Sequence, residues 1–296
     1  MKKEERVLLL IDELVCVEAA KILEDVFRLE SLSVSVGILP RLLQKDFPEK
    51  IRCSVMMSDV IILAASQSWY QAPTRRDAKY QHGKRVIECY NLTKDMLKDG
   101  ALCVDYDELG MFTREFFKQF KAGCSIDIRT RVGSHFISRI RYVFEETGFY
   151  DRPGSGGNLP AGEISLGLLE KSGEGEIVFD VSFDHLGRLE KSPLGISIRE
   201  NRITRVEGRF KEKFECLLMQ NDNLRNVAEI GIGTNSAAIL GRSVLEDEKK
   251  LGTVHIGFGN DTYFGGITGG PHFDGVLLNA TVSVDEKLLM KDGCLV

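Results

Sequence analysis

The chain has 296 residues, of which 43% are hydrophobic and 28% are charged, and its net charge at pH 7 is −5. This length allows two hydrophobic cores and favours two domains, and the composition is ordinary for a globular protein. The lack of a long uninterrupted apolar run argues against a membrane span, and the negative net charge argues against a nucleic-acid-binding surface.

Short apolar runs alternate with amphipathic segments through the first 124 residues. Strands are predicted at residues 7–11, 33–39, 59–65 and 85–90. Helices are predicted at residues 15–29, 50–57, 74–81 and 108–121. Short strands separated by helices are typical of a mostly parallel sheet that is covered on both faces. We therefore expect an α/β domain with a parallel sheet over residues 1–124.

The pattern becomes β-rich from residue 125 onwards. Residues 125–130 alternate apolar and polar side chains, and residues 151–160 form the most turn-rich stretch of the chain. Further strands are predicted at residues 177–183, 195–198, 202–206, 253–258, 275–278 and 280–284, with a helix at 207–220 and a turn into a last strand at 285–289. We expect residues 125–296 to form a second domain of mostly antiparallel sheet or partial barrel.

The seven cysteines are widely dispersed, and none shows the paired spacing of a metal site. The N-terminal stretch lacks the length and the small-residue cleavage site of a secretory signal. We therefore expect reduced thiols and a cytoplasmic protein.

Two histidines and an aspartate near the C-terminus are candidate metal ligands. In an extended segment, residues two apart point to the same side, so His272 and Asp274 can converge on one point. His255 lies within eighteen residues of His272. Two imidazoles and a carboxylate are common ligands of a catalytic divalent metal. Taken alone, His255 is more typical of a hydrogen-bonded core histidine. The remaining histidines, His82, His135 and His185, are expected to be solvated or structural.

Two glutamates occur in unusually apolar surroundings. Glu163 lies where a glycine-rich loop enters an apolar segment, and Glu229 lies within an apolar run punctuated by glycines. A buried carboxylate needs a cation, hydrogen bonds or a raised pKa, although either side chain can also point outward from an edge strand. With the two histidines and the aspartate, they supply five candidate ligands, enough for two divalent ions roughly 3.5–4 Å apart.

A basic cluster in the first half has two interpretations. It can face an acidic group of a substrate, or it can be the solvated face of a helix. A run of charged residues favours the second interpretation. Its members are Arg75, Arg76, Lys79 and Lys84.

Segments 159–163, 227–235 and 247–259, followed by His272 and Asp274, resemble the motifs of the aminopeptidase T/S metallopeptidases. Segments 66–68, 83–86 and 94–97, with Thr74, are similar to the N-terminal domain of that family. The resemblance implies an N-terminal α/β domain, a metal-binding β-rich C-terminal domain and a homodimer. It implies the metal ligands Glu163, Glu229, His255, His272 and Asp274, and Tyr263 is the candidate for the family's tyrosine.

The resemblance favours a hydrolase that removes an N-terminal amino acid from a peptide or cleaves an aminoacyl amide. One or two zinc, cobalt or manganese ions would activate a water molecule. Glu229 or Glu163 would take the proton, and Tyr263 would stabilise the oxyanion.

The chain also departs from the peptidase pattern, which leaves two alternatives open. The chain is shorter than typical aminopeptidases of that family, and Gly-Gly turns at 265–266 and 269–270 compress the segment between His255 and His272. Dihydroxypyridine ring-cleaving dioxygenases, which use a mononuclear non-haem iron, are similar to the same family. His255, His272 and Asp274 alone form the two-histidine, one-carboxylate set suited to Fe(II). The last alternative is a catalytically inactive metal-binding scaffold on an old enzyme fold.

Overall fold

The structure is a computed structural model that describes residues 4–30, 32–40, 46–189 and 191–296. Its contacts divide the chain into two compact units. The first is Met1–Tyr106 with Gly148–Ala161, and the second is Asp107–Thr147 with Gly162–Val296. The sequence-based domain boundary between residues 124 and 125 stays a prediction.

The first unit contains a four-stranded sheet flanked by helices. The strands are β1 (Arg6–Ile11), β2 (Ser33–Ile38), β3 (Val60–Leu63) and β4 (Arg85–Glu88). The helices are α1 (Val17–Leu29), α2 (Glu49–Met57) and α3 (Pro73–Tyr80), with a 3-10 helix at Ala101–Cys103. The strand order is β2-β1-β3-β4, and all three pairings are parallel.

Alternation along β1 explains how both faces of this sheet are covered. Leu8 and Leu10 belong to an apolar cluster that includes buried residues of α2 and α3. Val7 and Leu9 belong to a second cluster that includes Phe27 of α1. Successive side chains of a strand point to opposite faces, so a continuous apolar run covers two layers. The predicted α/β unit with a buried parallel sheet is therefore confirmed.

Two of the four members of the basic cluster depart from the predicted solvated helix face, whereas Arg76 is exposed and Lys84 is partly exposed. The Arg75 side chain is fully buried, with its Nε 3.7 Å from a carboxylate oxygen of Glu88. Lys79 is also buried, and its ammonium donates a hydrogen bond of 2.6 Å to the carbonyl of Gly156. Internal acceptors explain the difference, because buried cations require such partners.

The second unit contains a fourteen-stranded antiparallel sheet. Its strands up to the middle of the unit are β5 (Ser125–Arg129), β6 (His135–Glu146), β7 (Glu163–Leu168), β8 (Glu174–Phe179), β9 (Ser182–Phe183), β10 (Gly187–Arg188), β11 (Leu194–Arg199) and β12 (Arg202–Glu207). The remaining strands are β13 (Val227–Gly233), β14 (Thr253–Gly259), β15 (His272–Leu278), β16 (Thr281–Val284), β17 (Lys287–Lys291) and β18 (Cys294–Leu295). The helices are α4 (Tyr106–Phe117), α5 (Lys211–Gln220) and α6 (Val244–Lys249), with 3-10 helices at Asp222–Arg225 and Thr262–Phe264.

The order of strands places the candidate ligands in the middle of this sheet. The main path runs β10-β9-β15-β14-β13-β7-β6-β5-β16-β17-β18, and β8, β11 and β12 branch from β6. Strands β7 and β13 each have two partners, so Glu163 and Glu229 do not point outward from an edge strand. The predicted antiparallel sheet in the second half is confirmed.

Among the described residues, the helices are too short or too polar to cross a bilayer. The seven cysteines are free thiols. The exposed ones are Cys53, Cys103, Cys216 and Cys294.

Candidate metal centre

Four neighbouring strands place the five predicted ligands on one face of the sheet. Strand β13 pairs Glu229 with Gly257 of β14, and Gly257 pairs in turn with Asp274 of β15. Directly opposite residues in antiparallel strands share a face, so these carboxylates and the side chain of His255, two residues along β14, point the same way. The intervening residues, among them Ile230 and Ile256, are buried in the apolar cluster on the opposite face.

Glycines make room for the imidazole rings over this face. A Cβ atom at Gly231 would lie 1.8 Å from Cε1 of His255, which pairs with Gly231 in register. A Cβ atom at Gly257 would lie 2.5 Å from Nε2 of His272 and 2.9 Å from Oδ1 of Asp274. Neither position tolerates a side chain without movement of a candidate ligand.

Helix α6 covers the same face and adds two charged side chains. It packs against β13, β14 and β15, and its C-terminal residues Glu248 and Lys249 are 4% and 1% exposed. A Cβ atom at Gly233 would lie 2.8 Å from the carbonyl oxygen of Glu248, so the bare backbone of β13 allows the helix end to approach. The Ser243 hydroxyl accepts a hydrogen bond from the amide of Glu246 and caps the helix.

The result is a group of side chains that we call the central cluster. Its members are Glu163, Glu229, Glu248, Lys249, His255, His272 and Asp274.

Glu229 lies between the two imidazoles of the central cluster. One of its oxygens is 3.8 Å from Nε2 of His255, and the other is 3.4 Å from Nε2 of His272. Nε2 of His272 is also 3.2 Å from Oδ1 of Asp274, and Nε2 of His255 is 3.5 Å from Oε2 of Glu163. The Nε2 atoms of both rings therefore face carboxylate oxygens.

Hydrogen bonds from outside the central cluster orient two of its members. Nδ1 of His272 lies 3.0 Å from the carbonyl oxygen of Asn260. Because a carbonyl oxygen can only accept a hydrogen bond, Nδ1 carries the proton of that bond, and the lone pair of Nε2 is the one that can bind a metal. The amide of Asp274 donates a hydrogen bond of 3.1 Å to the carboxylate of Asp184.

The charges of the central cluster shift its pKa values in opposite directions. Burial alone would lower the pKa of His255, but Glu229, Glu163 and Glu248 outweigh it and raise that pKa to about 9. Burial alone would raise the pKa of Glu229, but the two imidazoles outweigh it and lower that pKa. Burial, followed by the charge of Asp274, raises the pKa of Asp184 to about 7. Such shifts mark a buried region in which carboxylates strongly favour positive charge.

The donor atoms fit a divalent metal ion. Two sets of three residues each bring one ligand atom per residue to within 4.8 Å of the others. One set is Glu229, His255 and Asp274, and the other is Glu163, Glu248 and His255. Nδ1 of His255 and Oε1 of Glu248 are buried atoms without a hydrogen-bond partner among the described residues. Carboxylate and imidazole donors suit iron, zinc, manganese or cobalt.

The structure thus brings the five predicted ligands together and adds residues that the sequence did not identify. Tyr263 lies in the 3-10 helix Thr262–Phe264, half-buried, and its predicted role stays a prediction. Glu248 and Lys249 belong to a motif of the family resemblance, and the four consecutive charged residues of the short helix are the sequence signal that could identify them. Glu146, whose Oε2 lies 3.7 Å from the ammonium of Lys249, and Asp184 carry no local signal in the sequence.

Comparison with known proteins gives one family and two related folds. The model of the family described as NicX, 2,5-dihydroxypyridine 5,6-dioxygenase, matches residues 81–296. No curated protein matches significantly. The structure of 2,5-dihydroxypyridine dioxygenase from Pseudomonas putida KT2440 is similar with a TM-score of 0.81 and 18% identity, covering 99% of this chain and 92% of that chain. Wild-type AmpT from Thermus thermophilus is similar with a TM-score of 0.64 and 11% identity, covering 100% of this chain and 95% of that chain. At these identities the two structures show a shared fold alone.

Proposed function

Because the chain belongs to the 2,5-dihydroxypyridine 5,6-dioxygenase family, we propose that it is a metal-dependent dioxygenase that opens a dihydroxylated pyridine ring. The observation that carries this proposal is the meeting of His255, His272 and Asp274 with Glu229 on one face of the sheet. Two imidazoles and a carboxylate are the donor set of non-haem Fe(II) oxygenases. When bound there, a ferrous ion would supply the redox chemistry of ring cleavage by dioxygen.

The side chains of the central cluster would divide the work between binding and proton transfer. His255, His272 and Asp274 would hold the metal through Nε2, Nε2 and a carboxylate oxygen. We assign the proton of a ring hydroxyl to Glu229, whose two oxygens already face both imidazoles. The side chains of His272 and Asp274 are 21% and 17% exposed, whereas that of His255 is 3% exposed. The substrate would therefore approach from the side of His272 and Asp274.

The aminopeptidase-like hydrolase is the second candidate, and one observation favours it. Glu163, Glu248 and His255 form a second set of donors beside the first, as a two-metal hydrolase requires. The relationship to AmpT, an aminopeptidase T, agrees with this candidate at the level of the fold. Hydrolysis and ring cleavage differ in the number of ions and in the need for dioxygen.

The decisive test combines metal, substrate and dioxygen. Metal-free protein is reconstituted with Fe(II), Mn(II) or Zn(II) and mixed with 2,5-dihydroxypyridine, and oxygen uptake is followed beside loss of the ring absorbance. We expect uptake that depends on Fe(II). An aminoacyl chromogenic panel runs in parallel. Hydrolysis with Zn(II) or Mn(II) and no oxygen uptake would replace the dioxygenase by the hydrolase.

A matched pair of variants locates the reaction. His272→Ala is expected to lose both the metal and oxygen uptake. His135→Ala is the control, since His135 is exposed on β6 and its ring lies 3.7 Å from Asp127. Equal activity in the two variants would place the metal elsewhere.

A further inference from the structure

One buried cation lies among the carboxylates of the central cluster. The ammonium nitrogen of Lys249 is 2.6 Å from Glu163 Oε2, 3.4 Å from Glu248 Oε2 and 3.7 Å from Glu146 Oε2. The Lys249 side chain is 2% exposed, and the three carboxylates are 4–7% exposed. Because the ammonium group is shielded from bulk solvent and has three carboxylate neighbours, electrostatic attraction holds it in position.

The ammonium group of Lys249 lies beside the carboxylates that a second metal ion would need as ligands. Glu163 and Glu248 are two of the three donors in the second set, and the third donor is His255. Oε1 of Glu248 is buried without a hydrogen-bond partner among the described residues, so this carboxylate keeps one unused donor atom. A divalent ion at this set would lie beside a fixed positive charge, and like charges repel strongly where water is excluded.

We propose that Lys249 takes the place of a second metal ion and so limits the protein to one divalent ion. Removal of its charge would expose a latent divalent-cation site at Glu163 and Glu248, with Glu146 beside it. This inference rests on the metal centre proposed above, at His255, His272 and Asp274. It assigns Glu163 to the ammonium and not to the metal, and it explains how one arrangement of side chains can hold one ion or two.

The test counts ions in three forms of the protein. Wild type, Lys249→Met and Lys249→Arg are stripped with a chelator and dialysed to equilibrium against Mn(II), and the bound ions per chain are measured. We expect one ion in wild type, one in Lys249→Arg and two in Lys249→Met, with an exchange-coupled Mn(II) pair in the electron paramagnetic resonance spectrum. No ion in wild type would refute the metal centre itself. Two ions in wild type, or one in Lys249→Met, would overturn only the role of Lys249.

A second comparison keeps the inference testable if Lys249→Met does not fold. In the presence of Lys249, Glu163→Gln should keep one Mn(II) with affinity within about tenfold of wild type, whereas Asp274→Asn should weaken binding by at least about 100-fold. Loss of the ion in Glu163→Gln would make Glu163 a metal ligand and would overturn the inference.

Discussion

The absence of a side chain at Gly231 leaves room for the ring of His255, and this close approach gives a specific prediction about the site. Gly231 pairs with His255 across β13 and β14, and a methyl group at Gly231 would start 1.8 Å from Cε1 and 2.1 Å from Nε2 of that ring. Ordinary van der Waals contact begins at 3.4 Å. The ring must therefore retreat by roughly 1.5 Å or more in Gly231→Ala, because carbon atoms pack no closer than that.

That retreat is large relative to what a metal centre tolerates. Ligand distances in metal sites hold to within about 0.2 Å, and an error of about 1 Å at a reacting group costs about 100-fold. We expect Gly231→Ala to lose at least about 100-fold in metal affinity. Its unfolding free energy should fall by about 1–3 kcal/mol, because the inserted methyl group overpacks a buried layer.

The assay is equilibrium dialysis against Fe(II) or Mn(II), with urea unfolding of the metal-free protein in parallel. Gly195→Ala is the matched control, since a Cβ atom there meets only Glu207 at 3.6 Å or beyond. The control should keep metal affinity and change stability by no more than about 0.5 kcal/mol. Wild-type metal affinity in Gly231→Ala would show that His255 does not hold the ion where we place it.

Three further predictions concern stability. Chelation of a bound ion should lower the melting temperature, since an ion present at about 100 times its dissociation constant stabilises the folded state by about 2.7 kcal/mol; an unchanged melting temperature would contradict a bound ion. Arg75→Met should lower the unfolding free energy by about 3–5 kcal/mol, because it leaves Glu88 as a buried unpaired acid, whereas the exposed neighbour Arg76→Met should cost less than about 0.5 kcal/mol. Burial acts to raise the pKa of Asp12, but hydrogen bonds from Ser66 and two further amides outweigh it and lower that pKa below 3.8. A carboxyl group whose pKa is lower in the folded than in the unfolded protein stabilises the folded state at pH values above the unfolded pKa. This stabilisation is lost as the pH falls through the folded pKa. The difference in urea midpoint between wild type and Asp12→Asn should therefore narrow below pH 3.8. A gap independent of pH would refute that contribution.

Much of the site could be predicted because strand periodicity is visible in the sequence. Glu229 and Gly231 in β13, like His255 and Gly257 in β14, alternate with buried apolar residues, so the polar members share one face. The same periodicity runs through the first half of β6, a strand absent from the prediction. Phe136, Ser138 and Ile140 are buried there, whereas His135, Ile137 and Arg139 are exposed.

The rest of the site depends on contacts that no local pattern encodes. Glu248 and Lys249 reach the candidate ligands because a six-residue helix crosses the bare backbone at Gly233. Asp184 reaches Asp274 across ninety positions of sequence. The buried state of Arg75 is likewise decided by Glu88, which belongs to a strand and not to the helix of Arg75. Short-range patterns describe which face a residue occupies, and tertiary packing decides what lies above that face.

The most direct test of the central claim is the fate of dioxygen. The Fe(II)-loaded protein is incubated with 2,5-dihydroxypyridine under ¹⁸O₂, and the product is analysed by mass spectrometry. We predict an opened ring that carries both labelled oxygen atoms, and no product under nitrogen. A product that forms without dioxygen, or that carries oxygen from water alone, would contradict a ring-cleaving dioxygenase.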